Sequence, residues 1–182
     1  FLPAVAVSYT FVKEEALLKL LFRLESIRTP FLNRIMEAIT YLGDELFFIV
    51  IALLVFWCVN KKEGYYLLFV GFFGTMVNQF LKLLCRIPRP WVLDENFTIL
   101  EQAREGASGY SFPSGHTQSS VGTFGAIAAI TKNKLIRYIS IAIAVLVPFS
   151  RMYLGVHTPL DVCVAAAMAL VLIFVLKPLI VG

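Results

Sequence analysis

Charge is scarce in this sequence. Only 15% of its 182 residues are Asp, Glu, Lys or Arg, against roughly 25% in an ordinary soluble domain, while 59% are hydrophobic and the mean hydropathy is +0.80. A water-soluble globule is excluded, and the chain reads as an integral membrane protein. Cysteine is scarce too. Cys58, Cys85 and Cys163 are odd in number and two lie in apolar runs, so neither a disulfide framework nor a cysteine-based zinc site is expected. The net charge of +4 is small, and its cations fall in short loops and polar motifs rather than on one basic face, which excludes nucleic acid as a partner. No signal peptide is expected, because Phe1-Leu2-Pro3 opens without a basic stretch, and the missing initiator Met reads as trimming.

What is present is mostly helical and apolar. Lys13 to Leu24 places Glu15, Lys19 and Arg23 on one face and leucines on the other, the pattern of a helix lying on a membrane surface. Residues 1–12 are apolar but too few to span. After Thr29-Pro30 a helical period resumes from Phe31 to Leu42 and predicts a second interfacial helix. Five spanning candidates follow at 42–60, 65–84, 113–130, 135–153 and 159–179, each near the ~20 residues a bilayer demands. The expected architecture is an all-α polytopic membrane bundle of five to six spanning helices, with residues 1–41 as interfacial helices and 42–182 as the membrane-embedded core. Lys61-Lys62-Glu63 and Lys132-Asn133-Lys134 make short basic loops, and the long segment from Arg86 to Phe112 lies on the other side. Basic short loops stay inside, so the long segment is expected outside the cell.

Polar chemistry collects at that outer side in three stretches. Lys82 and Arg89 flank the end of the second span, where Pro88 and Pro90 stop the helix. Tyr110 to His116, Tyr-Ser-Phe-Pro-Ser-Gly-His, reads as an anion seat: Pro113 suits a helix start, Gly115 leaves backbone amides open and Ser114 adds a donor. Ser150-Arg151 precedes His157-Thr158-Pro159-Leu-Asp161, in which Thr158 caps the last helix and Asp161 takes the third position of a capping box. The four-residue step from His157 to Asp161 also lets a carboxylate accept the imidazole N–H and fix its tautomer. Both histidines of the chain lie in these stretches. With Lys82, Arg89 and Arg151 at the same membrane level, they point to a phosphate site. Arg86 has no place in the pattern and reads as a boundary cation. The loop from Trp91 to Phe112, with Phe97 and Tyr110 among Glu95, Glu101 and Glu105, reads as a lid or an interface anchor.

Lys82, six residues and Arg89-Pro90; Pro113-Ser114-Gly115-His116; and Ser150-Arg151, five residues, His157, three residues and Asp161 together resemble the three-part signature of the type-2 phosphatidic acid phosphatase superfamily. The resemblance covers about half of the chain. It implies a lipid phosphatase acting on a phosphate or diphosphate of the undecaprenyl diphosphate, phosphatidic acid or phosphatidylglycerol phosphate type. It makes His157 the nucleophile, Asp161 its orienting partner and His116 the general acid and base, with Lys82, Arg89, Ser114, Gly115 and Arg151 holding the phosphate. No cofactor or metal is expected, so activity should survive chelation; the expected partners are the lipid substrate and surrounding membrane lipids. A lipid phosphotransferase would use the same residues. A haloperoxidase-like enzyme, also found in the superfamily, or a non-enzymatic phosphate-binding membrane protein fits less well, since the spans are apolar and the polar residues Asn78, Gln79, Gln118, Ser119 and Ser120 cluster to one side.

Overall fold

The structure is a computed structural model that describes residues 15–94, 96–104 and 106–182. Among them every regular element is helical, as a chain must be whose backbone has to satisfy its own hydrogen bonds away from water. The order is α1 (Glu15–Ser26), α2 (Pro30–Thr40), a 3-10 turn (Tyr41–Gly43), α3 (Glu45–Cys58) and α4 (Lys61–Cys85). Two single-turn helices follow, α5 (Pro90–Leu93) and α6 (Glu101–Arg104). Then come α7 (Gly115–Ser120), a π-helical turn (Val121–Gly125), α8 (Ala126–Ile130), α9 (Lys134–Tyr153) and α10 (Pro159–Ile180). Connections are short because polar caps sit at the helix starts. Thr29, Asp44, Asn60, Asn133 and Thr158 each accept a backbone amide of the first turn of α2, α3, α4, α9 and α10.

Three helical stretches, Lys61–Leu93, Lys134–Tyr153 and Pro159–Ile180, are long and apolar enough to cross a bilayer. The pair Pro30–Gly43 and Glu45–Cys58, bent by 53°, adds a fourth if it is one span. The expected span at 42–60 is therefore a helix of 14 residues beginning at Glu45, and the one at 113–130 begins at Gly115 and passes through the π turn. Both are short for a crossing on their own. Helix α1 occupies part of the stretch predicted at 13–24; Lys13, Glu14 and residues 1–12 lie outside the described residues.

The core lies where α3, α4, α8 and α10 meet around Ala52, Tyr66, Leu67, Val70, Ala126 and Ile173. Small residues bring these backbones together. At Gly74 a Cβ would stand 1.5 Å from Gln118 Nε2, so the bare backbone of α4 makes the room that the Gln118 side chain of α7 occupies. On the opposite face of α4, Phe69, Phe72, Phe73, Met76, Phe80 and Leu83 are exposed, a continuous apolar surface suited to lipid. Helix α4 is about 37 Å long at 1.5 Å per residue, and it ends at Arg86 in the left-handed conformation, φ 51°, just before Ile87-Pro88. The polar site forms at this end of the bundle. Glu63 and Lys132 line a separate cavity at the far end.

Candidate active site

Helix ends, not helix middles, supply the site. The end of α4 brings Lys82, the turn before α5 brings Arg89, and the start of α7 brings Gly115 and His116. The end of α9 brings Arg151, and the turn before α10 brings His157. All six line one cavity of about 330 Å³, together with Gly43, Asp44, Glu45, Gln79, Gly106 and Ser108. Residues as far apart in sequence as Gly43 and His157 thus converge on a space that suits one phosphoryl group and its immediate substituent.

Of the expected site residues, Ser114 and Asp161 stand behind the cavity rather than in its wall. Ser114 is fully buried and caps α7, its hydroxyl accepting the Thr117 amide at 3.4 Å. The helix therefore starts at Gly115, and Pro113 precedes the cap instead of occupying the first turn, because Ser114 takes the cap position and its hydroxyl accepts the amide of the third helical residue, Thr117. The Ser114 amide donates to the Asp161 carbonyl at 3.1 Å, tying the α7 start to α10. Asp161 is fully buried. Its Oδ2 accepts from the Thr158 amide at 2.8 Å and from Ser111 Oγ at 2.5 Å, and its own amide donates to Thr158 Oγ1, which completes the capping box. The same oxygen lies 3.4 Å from His157 Nδ1 without hydrogen-bond alignment, and Oδ1 has no partner.

Arg89 settles the tautomer of His157. A guanidinium can only donate, and Arg89 Nη1 lies 3.0 Å from His157 Nε2. Nε2 therefore carries the lone pair and Nδ1 the proton, which faces Asp161. His157 is 2% exposed, and burial, with Arg89, Arg151 and Lys82 nearby, holds its pKa well below the ordinary 6.5. The imidazole is neutral at physiological pH, the form that can attack phosphorus. The other donors of Arg89 go to backbone: Nε to Gly109 O at 3.1 Å, Nη1 also to Val156 O at 2.9 Å, and Nη2 to Ser108 O at 2.9 Å. Lys82 Nζ donates to Tyr110 O at 2.7 Å. These two cations fasten the 108–110 loop over the site.

Arg151 is different. It is 2% exposed, and one donor, Nη1, reaches Thr40 Oγ1 at 2.9 Å, while Nε and Nη2 have no partner. A buried guanidinium with open donors at a cavity wall is an anion receptor in waiting. Thr40 and Ser111 are site residues that sequence reasoning missed. Ser111 lay inside the Tyr110–His116 motif but its step to Asp161 has no sequence period, and Thr40 belongs to an amphipathic helix whose buried face gave no sign of chemistry. Arg86 is exposed and its Nε donates to Leu83 O, away from the site. The long loop is tied down rather than lid-like. Phe97 is 3% exposed, edge-on to Phe22 at 5.4 Å and beneath Arg28 at 5.6 Å. Arg28 donates to Tyr153 O and Thr98 O. Glu95 and Glu105 of that loop lie outside the described residues.

With the geometry in place, the sequence model of the PAP2 superfamily matches residues 63–181, which takes in every residue that lines the cationic half of the cavity. The chain belongs to the PAP2 superfamily. Phosphatidylglycerophosphatase B of Bacillus subtilis is 32% identical to it over 83% of this chain and 76% of that protein. An undecaprenyl-diphosphatase of the same organism is 29% identical over 63% of this chain and 56% of its own. The crystal structure of a transmembrane PAP2 type phosphatidylglycerolphosphate phosphatase from Bacillus subtilis superposes with a TM-score of 0.75 at 29% identity, covering 96% of this chain and 91% of that one. This PAP2 protein is a membrane protein and a phosphatase of the hydrolase class.

Proposed function

We propose that this PAP2 protein hydrolyses a lipid phosphate or diphosphate of the phosphatidylglycerol phosphate, phosphatidic acid or undecaprenyl diphosphate type, through a phosphohistidine formed on His157. The observation that carries the reading is one cavity lined by a neutral, buried imidazole, by the buried Arg151 guanidinium with two open donors and by a second histidine.

The substrate phosphoryl group enters between Lys82, Arg89 and Arg151. Its oxygens take the open Nε and Nη2 donors of Arg151 and draw Arg89 Nη1 off His157 Nε2, which frees the lone pair to attack. The nascent N–P bond forms as the P–O bond to the lipid breaks, and His116 gives its proton to the departing oxygen. Asp161, close to Nδ1–H, stabilises the positive charge that grows on the ring. His116 then takes a proton from water as it attacks the phosphohistidine and releases phosphate. The cations and the Gly115 amide hold the nonbridging oxygens throughout. Three side-chain cations already supply the charge a metal would bring, so turnover in chelator is expected to match turnover without it.

A lipid substrate is supported by the cavity's height on α4. Gln79 and Lys82 line it, while Phe80 and Leu83 of the same turns are exposed to the membrane side. A headgroup can thus sit in the cavity while its tail stays in the bilayer. Residues 1–41 are proposed to rest at the interface and 42–182 to form the membrane-embedded core. The basic far end, with Lys61, Lys62 and Lys132, is proposed to face the cytoplasm of a multi-pass cell-membrane protein, and the site the outside. In a background without the native cysteines, Arg104→Cys should react with an impermeant thiol reagent in intact cells and Lys132→Cys should not; the reverse pattern would put the site inside.

Rapid-quench assays on an aryl phosphate test the chemistry. His116→Ala should release a burst of aryl alcohol and accumulate acid-labile phosphate on the protein, because that leaving group departs without an acid. His157→Ala should do neither. Label accumulating on His157→Ala would reverse the two roles, and wild-type turnover without any labelled intermediate in either variant would indicate direct attack by water.

A further inference from the structure

The guanidinium of Arg151 is held at one corner. Nη1 donates to Thr40 Oγ1 at 2.9 Å, while Nε and Nη2 have no partner. Which nitrogen is tied matters, because Nε–H and one Nη2–H point the same way along one edge of the planar group. That edge can take two oxygens of a phosphate side-on, and Nη1 lies off it. A partner on Nη1 therefore holds the plane without using the fork.

The position of the Thr40 hydroxyl is set from elsewhere. Thr40 is the last residue of α2 and 8% exposed, and one face of α2 is fastened to the end of α9 at two points. Asn33 Oδ1 accepts from the Tyr153 hydroxyl at 2.9 Å, and two turns on Thr40 accepts from Arg151. Leu32 and Met36 pack between these points against the buried cluster of Tyr153, Leu154 and Val156. The docked helix thus fixes the hydroxyl, and the arginine meets it. The 3-10 turn that follows touches the other part of the site. A Cβ at Gly43 would stand 2.9 Å from the His116 carbonyl oxygen and 3.1 Å from His116 Cβ, so the wall behind His116 is thin there. Residues 40–43 meet both Arg151 and His116, and they precede the segment 63–181 that carries the family pattern.

We infer that Thr40 is a positioning residue for phosphate binding: its hydroxyl fixes the plane of Arg151 and keeps the Nε–Nη2 edge free for the substrate. The inference rests on the assignment of Arg151 as phosphate receptor given above. An arginine free to turn loses part of its binding free energy to side-chain ordering whenever an anion arrives, whereas one already pinned at Nη1 has been ordered in folding.

The test is an orthovanadate titration of the purified intact protein in detergent, read as the rise in melting temperature, beside kcat/KM for phosphate release from phosphatidic acid. Thr40→Val keeps the shape and removes the acceptor. It should raise the vanadate concentration of the half-maximal rise at least tenfold and lower kcat/KM at least tenfold. Thr40→Ser keeps the hydroxyl and should stay within threefold of the wild type in both. Thr40→Cys, with a weak acceptor of similar size, should follow the valine variant and carries the test if that variant does not fold. In Arg151→Lys, which has no fork to aim, adding Thr40→Val should change either quantity by less than threefold, the non-additivity expected of a residue that acts through Arg151. Vanadate binding within threefold of the wild type in Thr40→Val or Thr40→Cys, a Thr40→Ser as impaired as Thr40→Val, or an undiminished loss in the Arg151→Lys background would overturn the positioning role. A wild type that binds vanadate in this way but releases phosphate from neither phosphatidic acid, phosphatidylglycerol phosphate nor undecaprenyl diphosphate would instead sink the lipid phosphatase reading, with the Thr40 comparison decided by vanadate alone.

Discussion

Two arginines at the same cavity, Arg89 and Arg151, are treated in opposite ways by the fold. Arg89 directs four of its five N–H donors to fixed partners, three backbone carbonyls and one imidazole nitrogen. Arg151, the more buried of the two, directs one donor to Thr40 and leaves Nε and Nη2 open. The same side chain is a scaffold in one corner and a receptor in the other. A buried cation with two open donor nitrogens costs stability, so a fold that keeps Arg151 in that condition is set up for an anion that supplies the missing acceptors. Arg89 contributes stability in every state and function only in part.

The largest expected effect comes from Arg151. Arg151→Met keeps the volume, removes the receptor and should lower kcat/KM by about a thousandfold or more, the scale of losing preorganised oxyanion donors. Its melting temperature in detergent should stay level or rise, since an unpaired buried charge has gone. A fall in melting temperature alongside lost activity would break the contrast with Arg89. Arg151→Lys, which keeps charge but not the fork, should still lose about a hundredfold.

Arg89→Met should be unlike it in stability. The Ser108, Gly109 and Val156 carbonyls lose their donors, at about 1 kcal/mol or more each, so the melting temperature should fall by roughly 5 °C or more. Loss of activity without loss of stability would show that the bonds of Arg89 to the Ser108, Gly109 and Val156 carbonyls do not hold the fold and that Arg89 serves the phosphate alone.

A smaller effect is expected in pH dependence, and it sharpens the comparison because Arg89 touches His157 directly. The folded pKa of His157 lies below 6.5. As pH falls below 6.5, the unfolded chain binds a proton that the folded one refuses, so stability from this group is present above 6.5 and is lost as the pH drops toward the folded pKa. The acidic limb of kcat/KM in wild type should therefore lie below pH 6.5. Arg89→Gln removes one of the cations that opposes ring protonation and should move that limb upward; an unmoved limb would mean that burial and the remaining cations, Arg151 and Lys82, set the value.

The smallest effect belongs to Arg28, outside the cavity. Its bonds to Tyr153 O and Thr98 O brace the turn that carries His157, and at Gly155, φ 83°, a Cβ would stand 2.7 Å from Arg28 Nη2. Arg28→Ala should lower activity by less than about tenfold and stability by roughly 1–2 kcal/mol. A loss as large as that of Arg151→Lys would give the N-terminal helices a direct part in binding.

How much of this was legible in the sequence follows from which interactions are local. The helices, the Thr158–Asp161 capping box and the gathering of Lys82, Arg89, His116, Arg151 and His157 all follow from short-range patterns and motif resemblance. What separates Arg89 from Arg151 does not. It depends on Thr40, more than a hundred residues from Arg151, and on carbonyls of a loop whose direction no periodicity records. Ser111 behind Asp161 and the thin wall at Gly43 are likewise products of packing between elements distant in the chain. The span count is hard to read for a related reason, since α3 and the α7–α8 stretch are apolar but begin only at the caps Asp44 and Ser114, which leaves each shorter than the ~20 residues of a full crossing.

The central claim, that Arg151 receives the phosphoryl group while Arg89 holds the scaffold, is tested most directly by orthovanadate, a phosphate analogue, titrated against the melting temperature of purified wild type, Arg151→Met and Arg89→Lys. The account predicts a dose-dependent rise in wild type, a smaller rise from a lower starting temperature in Arg89→Lys, and none in Arg151→Met. A full rise in Arg151→Met would contradict it.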